Sequence, residues 1–427
     1  MDRKTRSTVV LAIGVALLIG TLAVSGLTTP DRSVAADEDR RTLVGVQGGG
    51  AGWHDYGGVT LFERSEVVWH EGSADSYFDV TMLDNGSVMA GFMHGGYDDC
   101  GPYESPCTHT GFRIIDPEPT PEVVSEYSFP VRTPTNSEVH DVERVGDGEY
   151  LVTDMEHERI AIVSGNQTVW EWRGSSFYDA PDDPTRTDWL HINDVDVIDE
   201  GRYLVSLRNA NQVLVVERGE GVVEVINEDD GGDDATCTQR GQLSDADGDG
   251  DVRCGDPGLL NHQHNPQWLG EGAVLVADSD NNRVVELHRE ESTGEWTVAW
   301  ELDSAGGIPF DWPRDADRLA NGNTLVTDTL NKRLLEVTPN GTVVWSATTE
   351  HIPYEAERLP EGERPTGERY NAAAGAGADR LPVLDPAVSL ARGAAPWLPY
   401  WFAGAELGLT LVALGFVGGG VYLRRTA

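Results

Sequence analysis

Residues 264–300 read HNPQWLGEGAVLVADSDNNRVVELHREESTGEWTVAW. Three runs, Ala273-Val274-Leu275-Val276-Ala277, Val284-Val285-Glu286-Leu287 and Trp296-Thr297-Val298-Ala299-Trp300, are separated by segments rich in Gly, Asp and Asn. Short β-branched and aromatic runs bounded by turn residues predict antiparallel strands joined by tight turns. The pattern recurs outward along the chain. A residue pair opens each copy: Phe78-Asp79, His140-Asp141, Asn193-Asp194, His264-Asn265 and Arg314-Asp315. Eight residues after each first member stands a glycine: Gly86, Gly148, Gly201, Gly272 or Gly322. Eleven and twelve residues after it come Met89-Ala90, Leu151-Val152, Leu204-Val205, Leu275-Val276 and Leu325-Val326. In the last four copies Arg159-Ile160, Gln212-Val213, Arg283-Val284 and Arg333-Leu334 follow at nineteen and twenty. Val169-Trp170, Val298-Ala299-Trp300 and Val343-Val344-Trp345 close their units.

Four short strands per repeat of this length make a propeller blade. Five copies are complete. Val59 to Trp69 matches the outer two strands of a further blade, and Val67-Val68-Trp69 matches the closing strand. The expected fold is all-β, a single propeller of six four-stranded blades, the sixth completed from the two ends of the domain. Such closure leaves no free sheet edge.

Composition narrows the function. The 427 residues hold 72 Asp and Glu against 31 Lys and Arg, a formal net charge of −41. Lys4 and Lys332 are the only lysines. This surface repels nucleic acid, which excludes a phosphate-backbone binder. Acidic excess with almost no lysine is the expectation for a protein of very salty surroundings, where screening removes self-repulsion. With 12 Trp, 12 Tyr and 9 Phe the chain has ample material for a core.

Both ends carry apolar runs. Ser7 to Pro30 is uncharged and follows Arg3, Lys4 and Arg6; it is long enough to span a bilayer. An uncleaved anchor and a signal peptide cut near Val34-Ala35-Ala36 are both open readings. Leu407 to Leu423 forms the second run, closed by Arg424 and Arg425 and preceded by Trp397, Tyr400, Trp401 and Phe402 as an interfacial belt. Glu406 is expected at the outer interface. Positive residues at both extremes place both termini in the cytoplasm and the main domain outside the cell membrane. The expected divisions are an anchor at 1–30, the propeller at 40–354, a linker at 355–396 and a second transmembrane helix at 397–423. An oxidising exterior permits two local disulfides, Cys100 with Cys107 and Cys237 with Cys254. Asn85, Asn166 and Asn340 begin glycosylation sequons.

In a propeller the innermost strands line the channel, and the first residue of each pair opens that strand. Phe78, His140, Asn193, His264 and Arg314 therefore face one axis, and His191 is expected on the same face as Asn193. A lone strand histidine is most often structural. Three in successive blades, with an arginine, in so acidic a protein, point to an anionic small ligand. The recurring Arg159, Arg283 and Arg333 are expected to pair with acidic groups between blades. The recurring Asp79, Asp141, Asp194 and Asp315 are assigned to turns and backbone amides.

Asp188-Trp189-Leu190-His191-Ile192-Asn193-Asp194-Val195, followed by Val205-Ser206-Leu207-Arg208-Asn209, resembles the bacterial arylsulfate sulfotransferase family. So does His262-Gln263-His264-Asn265 leading to Gly272-Ala273-Val274-Leu275-Val276-Ala277-Asp278. The resemblance covers about residues 75–346. It implies a six-bladed propeller that moves a sulfuryl group from an aryl sulfate to a phenol, with no nucleotide donor and no catalytic cofactor. Carried over by motif, His264 resembles the transiently sulfated nucleophile. His140, His191 and Arg208 resemble the residues that hold the sulfuryl and phenol oxygens. Asn193, Arg314 and His262 are expected to contact substrate, and His262 stays an alternative nucleophile. The family's separate N-terminal β-sandwich is not expected in this sequence, which departs from the family pattern there. A ligand- or protein-binding propeller without catalysis, and an aryl sulfate hydrolase, are the alternative functions.

Between Cys237 and Cys254 lies an acidic loop. Counting Asp245 as position 1, oxygens fall at 1, 3, 5, 7 and 12 (Asp245, Asp247, Asp249, Asp251 and Asp256), with Gly250 at 6. That is a calcium-loop pattern, departing in Asp rather than Glu at 12 and lacking flanking helices. Its role would be structural; a solvated acidic loop is the plainer reading.

Overall fold

The recurring glycine sits in the turn between the first two strands of each unit. Gly86, Gly148, Gly201, Gly272 and Gly322 have φ between 73° and 85°. A Cβ on Gly86, Gly148 or Gly322 would meet no other atom, so the glycine serves the left-handed backbone and not a lack of space. The computed structural model describes residues 2–30, 32, 40–50, 53–135, 137–228, 234–239, 242–246, 248–362, 367–370, 380–381, 383–395 and 397–426. The chain divides into two compact units, Arg32–Gly377 and the joined ends Met1–Asp31 with Ala378–Ala427.

The larger unit is the expected six-bladed propeller. Blade 2 runs Ser76–Met82, Val88–Tyr97, Cys107–Asp116, Glu122–Val131 from the axis outward. Blade 3 begins with Val142–Gly146, blade 4 with Ile192–Asp199, blade 5 with His264–Gly270 and blade 6 with Asp315–Arg318. Blade 1 takes Ile352–Leu359 as its inner strand and Arg41–Gly48, Gly58–Glu63 and Glu66–Glu71 as the rest. Leu43 lies opposite Glu357 and Val44 opposite Ala356. The two ends thus close the ring, and Val59 to Trp69 does supply the outer two strands. The inner strand carries the propeller past the expected boundary at residue 354. Part of the expected linker is the helix Leu384–Ala394.

Middle strands such as Ala273–Asp278 are buried at every position, whereas the outer strand Glu66–Glu71 is mostly exposed. Neighbouring blades cover both faces of the middle strands, so these read as continuous apolar runs. Both disulfides form as expected.

The recurring polar residues hold this frame. Asp79, Asp141 and Asp315 reach across a blade seam and accept the amides of Val142 at 3.3 Å, Val195 at 2.6 Å and Ala356 at 3.0 Å. The arginines act differently from expectation. Arg159, Arg283 and Arg333 pair with Asp154, Asp278 and Asp328 at 2.6–2.7 Å, inside their own blades. Each pair closes the hairpin between the second and third strands, where the two residues face each other in register.

The smaller unit holds Arg3–Thr28 and Gly404–Arg425, both long and apolar enough to cross a membrane. They pack antiparallel. Ser7 Oγ donates to the Gly420 carbonyl at 2.8 Å and Ser25 Oγ to Glu406 at 2.7 Å. A Cβ on Gly14 would lie 2.8 Å from the Ala413 carbonyl oxygen, so the close approach needs a small residue.

Candidate active site

The first residues of the pairs do meet. Phe78, His140, Asn193, His264 and Arg314 are each at least nine-tenths buried around the axis, and blade 1 adds Tyr354 at the equivalent place. Tyr354 lies stacked on His140 with ring centroids 5.2 Å apart and 7° between planes. Phe78 stands edge-on to both, and His264 edge-on to Tyr354 and Trp312. His191 completes the group, its ring 5.2 Å from that of His140.

His191 arrives by a different route from the expected one. It precedes its strand and has φ +57°, so the alternation that would align it with Asn193 does not apply. Its amide and those of Leu190 and Ile192 all donate to the buried Glu158 carboxyl, at 2.7–3.0 Å. Trp53, His262, Asn265 and Trp312 also hold positive φ. Such strain, about 1–3 kcal/mol for each residue, gathers where surrounding structure enforces a working geometry.

The hydrogen bonds assign the tautomers. Nδ1 of His264 donates to the His262 carbonyl at 3.1 Å and to Ser279 Oγ at 2.8 Å; the Ser279 hydroxyl is itself given to the Pro313 carbonyl at 2.7 Å. A neutral His264 therefore presents a bare Nε2. Burial pushes this imidazole well below its usual value, and Arg314 and Arg208 add to the effect. His140 is lowered in the same way, first by burial, and its Nδ1 is buried with no partner. Nδ1 of His191 donates to Asp188 at 2.8 Å, which leaves Nε2 as an acceptor. Burial and Arg208 hold His191 below its ordinary range as well, against the pull of Asp188.

Two guanidinium groups supply positive charge. Arg208 sits in a single helical turn, 3.2 Å from Asp188 Oδ2 and 3.1 Å from Asn209 Oδ1. Arg314 lies over Trp312 at 4.4 Å, Tyr354 at 4.9 Å and Trp53 at 5.5 Å, and hydrogen-bonds Gln47. Among the described residues no carboxylate pairs with it; burial lowers it to about 10, which still leaves a cation at neutral pH. Glu138, 3.3 Å from His54, is the nearby anion. Burial works against its charge, but His54, His140 and His191 hold it below the usual carboxylate range.

Two expected residues stand apart from the cluster's open face. Asn193 gives its amide to the Gln263 carbonyl across a blade seam. His262 is at the rim, its Nδ1 2.8 Å from Asp280, which also receives Trp312 Nε1. Sequence reasoning missed Tyr354, Trp312, Asp188 and Ser279. Tyr354-Glu355 occupies the pair position of the closing strand and Gly362 follows eight residues later with φ +76°, but Pro365-Thr366 stand where the other copies have their apolar pair, because the next strand of this blade is Arg41–Gly48.

In the acidic loop Asp245 accepts the amides of Gly248 and Gly250, and Asp256 accepts that of Gly258. Asp249 accepts the amide of Asp251. Asp247 lies outside the described residues.

Solved structures that resemble the chain share low identity with it. A protein of unknown function from Bacteroides caccae shares 14% identity over 76% of this chain and 100% of that one, TM-score 0.49. A periplasmic gluconolactonase from Pseudomonas aeruginosa shares 14% over 77% and 88%, TM-score 0.41. Virginiamycin B lyase from Staphylococcus aureus shares 13% over 62% and 68%, TM-score 0.35. No curated protein matches the chain. Residues 175–350, which carry His191, Arg208, His264 and Arg314, match the family model described as Arylsulfotransferase (ASST).

Proposed function

We propose that the protein is an aryl sulfotransferase that moves a sulfuryl group from an aryl sulfate to a phenol through a sulfated His264. The observation that carries this reading is the bare Nε2 of a neutral, buried His264 among two guanidinium groups and two further imidazoles. Nε2 attacks sulfur; the N–S bond forms as the bond from sulfur to the aryl oxygen breaks, and the electron pair leaves with the phenolate. Arg208 and Arg314 hold the sulfuryl oxygens through the in-line displacement. A second phenol gives its proton to Nε2 of His191, whose imidazolium Asp188 stabilises. Its oxygen then attacks sulfur, the N–S bond breaks, and His264 recovers its lone pair. The proton on His191 goes to the departed phenolate or to water.

No nucleotide or metal is needed for these steps. Aromatic walls from Tyr354, Phe78 and Trp312 suit aryl groups on donor and acceptor. The terminal helices support attachment to a membrane, with the disulfide-bearing propeller on its oxidising, outer side and both termini in the cytoplasm. Calcium in the loop of Asp245, Asp247, Asp249, Asp251 and Asp256 would be structural.

The test uses the purified full chain, in detergent and high salt, with a chromogenic aryl sulfate. Release of the donor phenol should accelerate when a second phenol is added, and the sulfate ester of that phenol should accumulate. Release indifferent to phenol, with free sulfate as product, would make the protein a hydrolase; no release of any aryl sulfate would make it a binding propeller.

A further inference from the structure

Behind the histidines the channel changes sign. A small cavity of about 30 Å³, room for a hydrated ion's few waters and no more, is walled by six carboxyl side chains, Asp194, Asp196, Asp315, Asp317, Glu355 and Glu357, with the amides of Asn265 and Gln267 and with Pro266. Among the described residues no arginine or lysine lines it. Several inner-strand polar side chains have an evident structural task, accepting a backbone amide from the next blade. Asp79, Asp141 and Asp315 do so at the first level. At the second level Glu357 accepts Met82, and Gln267 accepts Arg318, at 2.9 Å and 2.7 Å.

Asp194 departs from this pattern. The residue that should donate to it, equivalent to Val142, Val195 and Ala356, is Pro266, which has no N–H. Asp194 is 7% exposed, and its Oδ2 has no hydrogen-bond partner. Asn265 is 8% exposed; its amide nitrogen donates to Glu355, and its Oδ1 is likewise without a partner. Both side chains line the cavity. A buried, unpaired carboxylate beside five others is costly unless positive charge neutralises it.

We infer that this cavity is a binding site for a hydrated hard divalent cation, magnesium or calcium, held through Asp194 and Asn265 at the seam where Pro266 removes the backbone donor. The donor set is oxygen only, which selects hard cations over zinc or copper. Among the described residues no three acidic groups converge closely enough to grip a bare ion, so the occupant keeps water between itself and much of the wall, as magnesium does. The site shares no lining residue with the sulfuryl cluster or with the Asp245 loop.

The experiment uses the full chain in detergent, stripped with chelator, carrying Asp245→Asn and Asp249→Asn to silence the loop. Melting temperature is followed against added magnesium chloride or calcium chloride at one fixed ionic strength. Binding to the folded state raises it by mass action, and the shift should saturate. Asp194→Asn should weaken the apparent affinity roughly tenfold or more by removing a ligand charge. Pro266→Val returns the missing N–H; it should raise the metal-free melting temperature and shrink the metal-induced shift. A melting temperature indifferent to both cations overturns the site. So does a saturable shift of the same size and midpoint in the parent, Asp194→Asn and Pro266→Val.

Discussion

Ser279 and the His262 carbonyl together take the Nδ1 proton of His264 in hydrogen bonds and leave its Nε2 bare. The Ser279 hydroxyl is given to the Pro313 carbonyl, so its oxygen accepts from Nδ1 of His264 at 2.8 Å. His264→Ala should lower aryl sulfate turnover on the order of 10³-fold or more, with the melting temperature close to that of the parent. Ser279→Ala should lose far less, because the His262 carbonyl still accepts Nδ1–H. Parent-like turnover in His264→Ala, with His262→Ala inactive, would move the nucleophile to the rim.

Arg208→Lys tests the hold on the sulfuryl oxygens. A point ammonium cannot keep Asp188 and Asn209 while also offering a planar fork to an anion. The expected result is a loss of kcat on the order of 10²-fold with the fold intact by circular dichroism. Near-parent kcat would remove Arg208 from the site.

His191 as the base sets the acid side of the pH profile. Its folded value lies below the ordinary histidine value of about 6.5. The neutral form accepts the phenol's proton, so acceptor-dependent kcat/KM should hold as pH falls to 6.5 and drop only below it. The same shift costs stability on acidification, since the unfolded chain takes up this proton first. An acid limb centred at or above about 6.5 would contradict the buried, neutral base.

Glu158 fixes the left-handed turn at His191 by accepting three consecutive amides. In Glu158→Gln one acceptor oxygen becomes an NH2 group facing amide donors. A destabilisation of about 1–3 kcal/mol is expected, read from the denaturant midpoint, together with a fall in transfer rate as His191 loses its setting. A midpoint unchanged within error would show that the amide cluster is not needed.

The acidic loop is tested by Asp247→Asn with Asp249→Asn, which keeps size and removes two charges. If the loop holds calcium, the part of the calcium-induced melting shift that is absent from magnesium titrations should disappear. Its full survival would leave the loop as solvated acidic surface.

Much of this was legible along the chain. The interval from each inner-strand pair to its glycine and its Leu-Val step marked the blades, because one turn geometry and one burial pattern recur in each. Closure by Ile352–Leu359 was legible only as a need for a missing strand: Gly362 does follow Tyr354 by eight residues, but the Leu-Val step that follows the others is absent, since the next strand of that blade is supplied by Arg41–Gly48. The histidines and Arg314 announced the site by standing where a core position would be apolar. Sequence alone could not decide which imidazole nitrogen is free, because that depends in part on Ser279 and Pro313, fifteen and forty-nine residues away from His264. Nor could it tell that Pro266 leaves Asp194 without a donor: the two lie 72 positions apart and meet only across a blade seam. Repetition records what each blade needs for itself, whereas the chemistry depends on the residues that different blades present to one axis, and only closure of the ring brings those together.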